Sequence, residues 1–92
     1  MIASFKDRRL KRLYETGDRN RIAPEQVEKI ENILARLEAA DTVEDMGLPG
    51  FQLHPLKGDL KGFWSVTVRA NWRIIFRFED GAALDVELID YH

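Results

Sequence analysis

Apolar positions recur first at helical spacing and later in strict alternation. Leu10, Leu13 and Tyr14 fall at i, i+3 and i+4 among lysines and arginines, which predicts an amphipathic helix beginning near Phe5. Ser4 is its expected N-cap and Gly17 its expected stop. Pro24 suits the first turn of a second helix, with Glu25 and Glu28 where the macrodipole favours anions. Val27, Ile30, Ile33, Leu34 and Leu37 form the core-facing stripe of that helix. Thr42 with Asp45 reads as a capping box for one further turn, ended by Gly47.

Beyond Leu48-Pro49-Gly50 the period becomes two. Phe51 to His54 reads as a short strand, with Pro55 holding His54 extended, and Met1 to Ser4 as another. A loop punctuated by Gly58 and Gly62 follows. Three longer strands then show inner faces of Trp64, Val66 and Val68, of Trp72, Ile74, Phe76 and Phe78, and of Leu84, Val86 and Leu88. Opposed residues of an antiparallel pair share a face, so Val68 is expected opposite Trp72 and Phe78 opposite Leu84. Arg69-Ala70-Asn71 then forms one loop and Gly81 lies in the other. This register sets Arg73 opposite Ile89, with Tyr91 on the diagonal. The outer face would carry Ser65, Thr67, Arg73, Arg77, Glu87 and Tyr91. The expected fold class is α+β, a single domain over residues 1–92, with N-terminal helices on one face of a mainly antiparallel sheet.

Composition narrows the class. A chain of 92 residues supports one core, and its lack of cysteine excludes disulfide staples and thiolate metal sites. The opening Met1 to Phe5 is too short an apolar run for a signal peptide, and nothing approaches the ~20 apolar residues of a membrane span. A cytoplasmic location without membrane attachment is therefore expected. The net charge of −2 hides alternating blocks: +4 over residues 1–21, −5 over 22–45, +4 over 46–78 and −5 over 79–92. Local basic faces are thus available, although the total field does not favour indiscriminate nucleic-acid binding.

The candidate chemistry lies at strand ends. The two histidines are His54 and His92, and His92 follows Asp90 and Tyr91. Imidazoles exchange protons near neutral pH and can act as base and acid. Lys57 and Arg73 could stabilise the extra negative charge of a pentacoordinate phosphate. Together these groups suit metal-free RNA cleavage: a base for the 2′-OH, a cation for the phosphorane and an acid for the leaving 5′-oxygen. No Gly-rich phosphate loop, zinc-binding His-Glu-x-x-His or Gly-x-Ser-x-Gly is present, so neither a cofactor nor a metal is expected.

Several segments resemble one family in matching order. These are Leu53-His54-Pro55-Leu56-Lys57-Gly58-Asp59, Gly62-Phe63-Trp64-Ser65, Asn71-Trp72-Arg73-Ile74 and Asp90-Tyr91-His92, with Met1 to Lys6 and Leu48-Pro49-Gly50-Phe51 in support. The chain is similar to the HigB toxins of the RelE superfamily. The resemblance implies a compact α+β fold and a metal-independent, ribosome-dependent endoribonuclease acting on mRNA. It also implies neutralisation by a helix-turn-helix antitoxin of HigA type. His54, Lys57, Arg73, Asp90, Tyr91 and His92 are its implied active residues. The acidic surplus departs from the basic character expected of a ribosome-directed nuclease. Two other readings share the scaffold: a non-nucleolytic, ParE-like inhibitor, and a protein-interaction domain using the basic first helix.

Overall fold

The computed structural model describes residues 1–91. Helices α1 (Arg8–Thr16) and α2 (Pro24–Ala39) precede a four-stranded antiparallel sheet ordered β1-β2-β3-β4. Its strands are β1 (His54–Pro55), β2 (Trp64–Arg69), β3 (Trp72–Glu79) and β4 (Ala82–Asp90). Short 3-10 helices at Val43–Met46 and Gly58–Leu60 fill the connections.

The helices lie close to where their spacing puts them. Gly17 closes α1 in the left-handed conformation, with its N–H bonded to the Leu13 carbonyl. Pro24 opens α2, and the Thr42–Asp45 capping box is formed in both directions. Leu10 and Leu13 of α1 join Val27, Ile30, Ile33, Leu34 and Leu37 of α2 in one buried cluster with Val66, Val68, Ile74, Phe76, Val86 and Leu88 of the sheet. The helices therefore cover one face of the sheet.

The N-cap of α1 is Asp7, not Ser4. Asp7 has an extended backbone, and its carboxylate accepts the Arg9 amide at 2.9 Å. Ser4 is used elsewhere: its hydroxyl oxygen accepts the Asp85 amide at 2.9 Å. The Met1–Ser4 strand reduces to isolated parallel bridges, Ile2 to Ala83 and Phe5 to Val86, that cover the outer edge of β4. Asp7 and Arg9 extend that cover with side chains. Asp7 accepts the Leu88 amide at 3.1 Å, and Arg9 donates to the Leu88 carbonyl at 3.3 Å. An edge satisfied in this way does not recruit a further strand.

Register agrees with expectation near the site and departs from it at two bulges. Val66 pairs with Ile74, Thr67 with Arg73, and Arg73 with Ile89. Past Thr67 the ladder slips, so Arg69 rather than Val68 opposes Trp72 and the turn shortens to Ala70-Asn71. A second slip lies between Ile75 and Arg77. Asp85 takes positive φ (54°) there, and Phe78 pairs with Ala83 instead of Leu84. A one-residue slip exchanges faces, so Ala83, not Leu84, is the fully buried residue. The expected strand at Phe51–His54 is likewise cut to His54–Pro55, because Gln52 is left-handed (φ 52°) and interrupts the extended run.

Candidate active site

Three of the six implied residues, His54, Arg73 and Tyr91, lie by register on the sheet face opposite the helices. Directly opposed residues share a face, so the pairs His54–Ser65, Ser65–Ile75 and Ile75–Glu87 define one row across it. Thr67, Arg73 and Ile89 define the next row. Tyr91 continues that face at the end of β4, and Lys57 stands at the start of the 3-10 helix Gly58–Leu60. His54, Lys57 and Tyr91 are exposed, whereas Arg73 is half-buried.

The Ala70-Asn71 turn fixes the centre. The Ala70 carbonyl accepts Nη1 of Arg73 at 2.6 Å, and the Trp72 carbonyl accepts the same nitrogen at 3.3 Å. The next carbonyl along, that of Asn71, accepts the Tyr91 amide at 2.8 Å. One short turn thus positions a guanidinium and the backbone of a phenol-bearing residue. Arg73 Nε is buried without a protein partner. A buried donor left unpaired costs on the order of 1–3 kcal/mol. Such a cost is common where a site is built for a ligand rather than for stability.

The other side of the face is separate. β1 lies three strand spacings from β4, about 14 Å at the usual ~4.8 Å per strand. His54 therefore does not exchange a proton directly with residues 90 or 91. Asp90 pairs with Trp72, whose face is the one covered by helices, so by register Asp90 belongs to the opposite side from Arg73. His92 lies outside the described residues. Arg77 is engaged elsewhere, bonded to Glu79 at 2.8 Å and Asp85 at 3.1 Å. Ser65 is buried rather than displayed. Among the described residues no three metal-ligating side chains cluster.

The sequence reading missed Gln52. Its carbonyl is bonded to the His54 ring at 3.0 Å, and its amide oxygen accepts the Thr67 hydroxyl at 3.1 Å. Alternation marked it only as a polar strand position, and nothing in the spacing signals its left-handed backbone.

Part of the acidic surplus lies on the far side, although Glu87 shares the outer-face row of Ile75. Glu25, Glu28 and Glu38 are exposed on α2, in the layer that covers the inner face. Arg73 lies on the outer face and Lys57 and Lys61 in the connection between β1 and β2, whereas Arg69 opposes Trp72 and so lies on the helix side.

The family model described as "RelE-like toxin of type II toxin-antitoxin system HigB" matches residues 3–92. The chain belongs to this HigB-like toxin family. Endoribonuclease HigB of Proteus vulgaris is 42% identical over 92 residues, covering 100% of both chains. Toxin HigB-1 of Vibrio cholerae serotype O1 is 39% identical over 93 residues, covering 96% of this chain and 95% of that one. Among solved structures, a YafQ point mutant from E. coli superposes with TM-score 0.63 at 17% identity, over 96% of this chain and 91% of that one. The Staphylococcus aureus YoeB dimer gives TM-score 0.61 at 16% identity, over 99% and 94%. These two share the fold of the HigB-like toxin described here. As the toxin of a type II system, it has an antitoxin as its partner.

Proposed function

We propose that this single-domain toxin is an endoribonuclease that cuts mRNA on the translating ribosome by metal-independent acid–base chemistry. The observation that carries the reading is the arrangement around Arg73. A half-buried guanidinium is held by backbone carbonyls, with an exposed phenol at the end of the next strand and an exposed imidazole two strands away on the same face. A cation on a sheet face with exposed rings to either side suits a nucleotide strand better than it suits a small metabolite, which binds in a closed pocket.

In this mechanism the ribose 2′-oxygen attacks the adjacent phosphorus as a base removes its proton. The bond from phosphorus to the 5′-oxygen breaks, and an acid returns a proton to that oxygen. The products are a 2′,3′-cyclic phosphate and a 5′-hydroxyl. His92 serves as base or acid, and His54, reached across the bound RNA, is its counterpart or orients the substrate. Arg73 and Lys57 hold the phosphorane charge, which is where fixed cations have most effect. Tyr91 stacks on the nucleotide beside the scissile bond, and Asp90 positions neighbouring groups from the other side of the strand. The antitoxin is of helix-turn-helix, HigA-like type, and the site of action is the cytoplasm, where the ribosomes are.

The test is a pair of variants. Arg73→Ala and His92→Ala should keep the circular dichroism and unfolding profile of the parent while losing mRNA cleavage and growth inhibition. Full toxicity in both places the chemistry elsewhere.

A further inference from the structure

The segment before β1 continues in its register without being a strand. With His54 opposite Ser65 and Pro55 opposite Trp64, Gln52 comes opposite Thr67. Two bonds fasten it there. The Thr67 amide donates to the Phe51 carbonyl at 2.7 Å, and the Thr67 hydroxyl donates to Oε1 of Gln52 at 3.1 Å. Thr67 is in turn the cross-strand partner of Arg73.

At φ 52° a glycine would be free of steric resistance, and a glutamine is not. What glutamine adds is the side-chain amide that Thr67 holds. The backbone carbonyl of the same residue lies 3.0 Å from Nδ1 of His54. A carbonyl only accepts, so Nδ1 carries the proton and the neutral ring keeps its lone pair at Nε2. A free imidazole favours the other tautomer. A strained residue with both ends committed to neighbours is typical of a functional constraint.

We propose that Gln52 is a positioning residue for His54. Its carbonyl selects the Nδ1–H tautomer, and its side-chain amide, held by Thr67, keeps that carbonyl in place two strand spacings from Arg73. The proposal rests on the reading of His54 as a group that touches the RNA. In this arrangement Nε2 is the atom offered to the substrate, as an acceptor when neutral and as a donor when protonated.

The experiment combines nitrogen-15 NMR of the histidine rings with mRNA cleavage in a reconstituted translation reaction. Gln52→Gly keeps the carbonyl and relieves the backbone while removing the amide that Thr67 holds, and its unfolding profile is compared with the parent's. Thr67→Val removes the hydroxyl at nearly constant shape, and Thr67→Ser restores it. The parent should show His54 as the Nδ1–H tautomer. Gln52→Gly and Thr67→Val should shift it toward Nε2–H and lower kcat on the order of tenfold with KM unchanged, and Thr67→Ser should behave as the parent. An Nε2–H parent, a tautomer indifferent to both variants, or unchanged kcat despite a switched tautomer overturns the proposal. His54→Ala separates the two claims. If it cleaves at the parental rate, the catalytic reading of His54 fails together with its positioning, whereas an unmoved tautomer defeats the positioning alone.

Discussion

Nη1 of Arg73 donates to the Ala70 carbonyl at 2.6 Å, so the guanidinium is oriented by the turn that begins its own strand. Lysine carries the same charge but lacks the planar fork that can grip a backbone carbonyl and still face a phosphate. Arg73→Lys should therefore keep the fold and lose on the order of 10²-fold in kcat, close to the loss in Arg73→Ala. Single-turnover cleavage of a reporter mRNA measures this. Near-parental activity in the lysine variant would mean that charge alone suffices.

Asp7 ties α1 to β4. It is almost fully buried and accepts from the Arg9 amide, the Arg9 guanidinium and the Leu88 amide. Asp7→Ala removes a helix cap and leaves the Leu88 amide unpaired, a loss of about 2–3 kcal/mol. For a domain of this size that lowers Tm by roughly 10–20 °C. Differential scanning calorimetry checks it.

The same carboxylate gives an acid dependence. Burial alone would raise its pKa. The bonds from the Arg9 side chain and the Leu88 amide, with the Arg9 charge, outweigh burial and hold it below the ordinary 3.8. A depressed native pKa means that the unfolded chain takes up the proton first as pH falls. The stabilisation is thus complete above 3.8 and is lost as pH drops through the native value. Urea midpoints measured from neutral pH downward should fall more steeply in the parent than in Asp7→Asn.

Tyr14 acts at the alkaline end. Its hydroxyl donates to Glu38 at 2.7 Å, and that bond, with burial and the carboxylate charge, pushes the phenol up to about 12. A raised native pKa contributes stability that is fully present below the ordinary 10.0 and is lost as pH rises through the native value. Ultraviolet titration should show one tyrosine ionising near 12, and Tyr14→Phe should abolish that step.

Much of this fold is legible in the sequence because spacing encodes burial directly. Leu10, Leu13 and the stripe from Val27 to Leu37 declare their helices, and Gly17 and Pro24 mark helix ends through backbone limits peculiar to glycine and proline. The arginine row is legible too, since Arg73 opposite Ile89 follows from matching inner faces. The bulges are not. Asp85 and Gln52 adopt positive φ without being glycine, and each is bonded to a tertiary partner, Ser4 at 81 residues' separation and Thr67 at 15. Ser4, expected from the sequence to cap α1, and Asp7, the cap observed, are both of capping type. The edge of β4 decided between them, because Leu88 needed a carboxylate and Asp85 needed a hydroxyl. Of the candidate site, the sequence names the residue types. Their division between two sides of an open face, and Asp90 falling behind it, depend on strand order and register that no local pattern states.

The central claim is cleavage of mRNA on the ribosome, and mapping of RNA 5′ ends tests it most directly. A reporter transcript would be compared with and without its ribosome-binding site, in cells expressing the parent or Arg73→Ala. The account predicts cuts inside the reading frame of the translated reporter, leaving 5′-hydroxyl ends, and none in the untranslated reporter or with the variant. Growth arrest by the parent with no cut ends, as a ParE-like inhibitor or a binding domain would give, would contradict it.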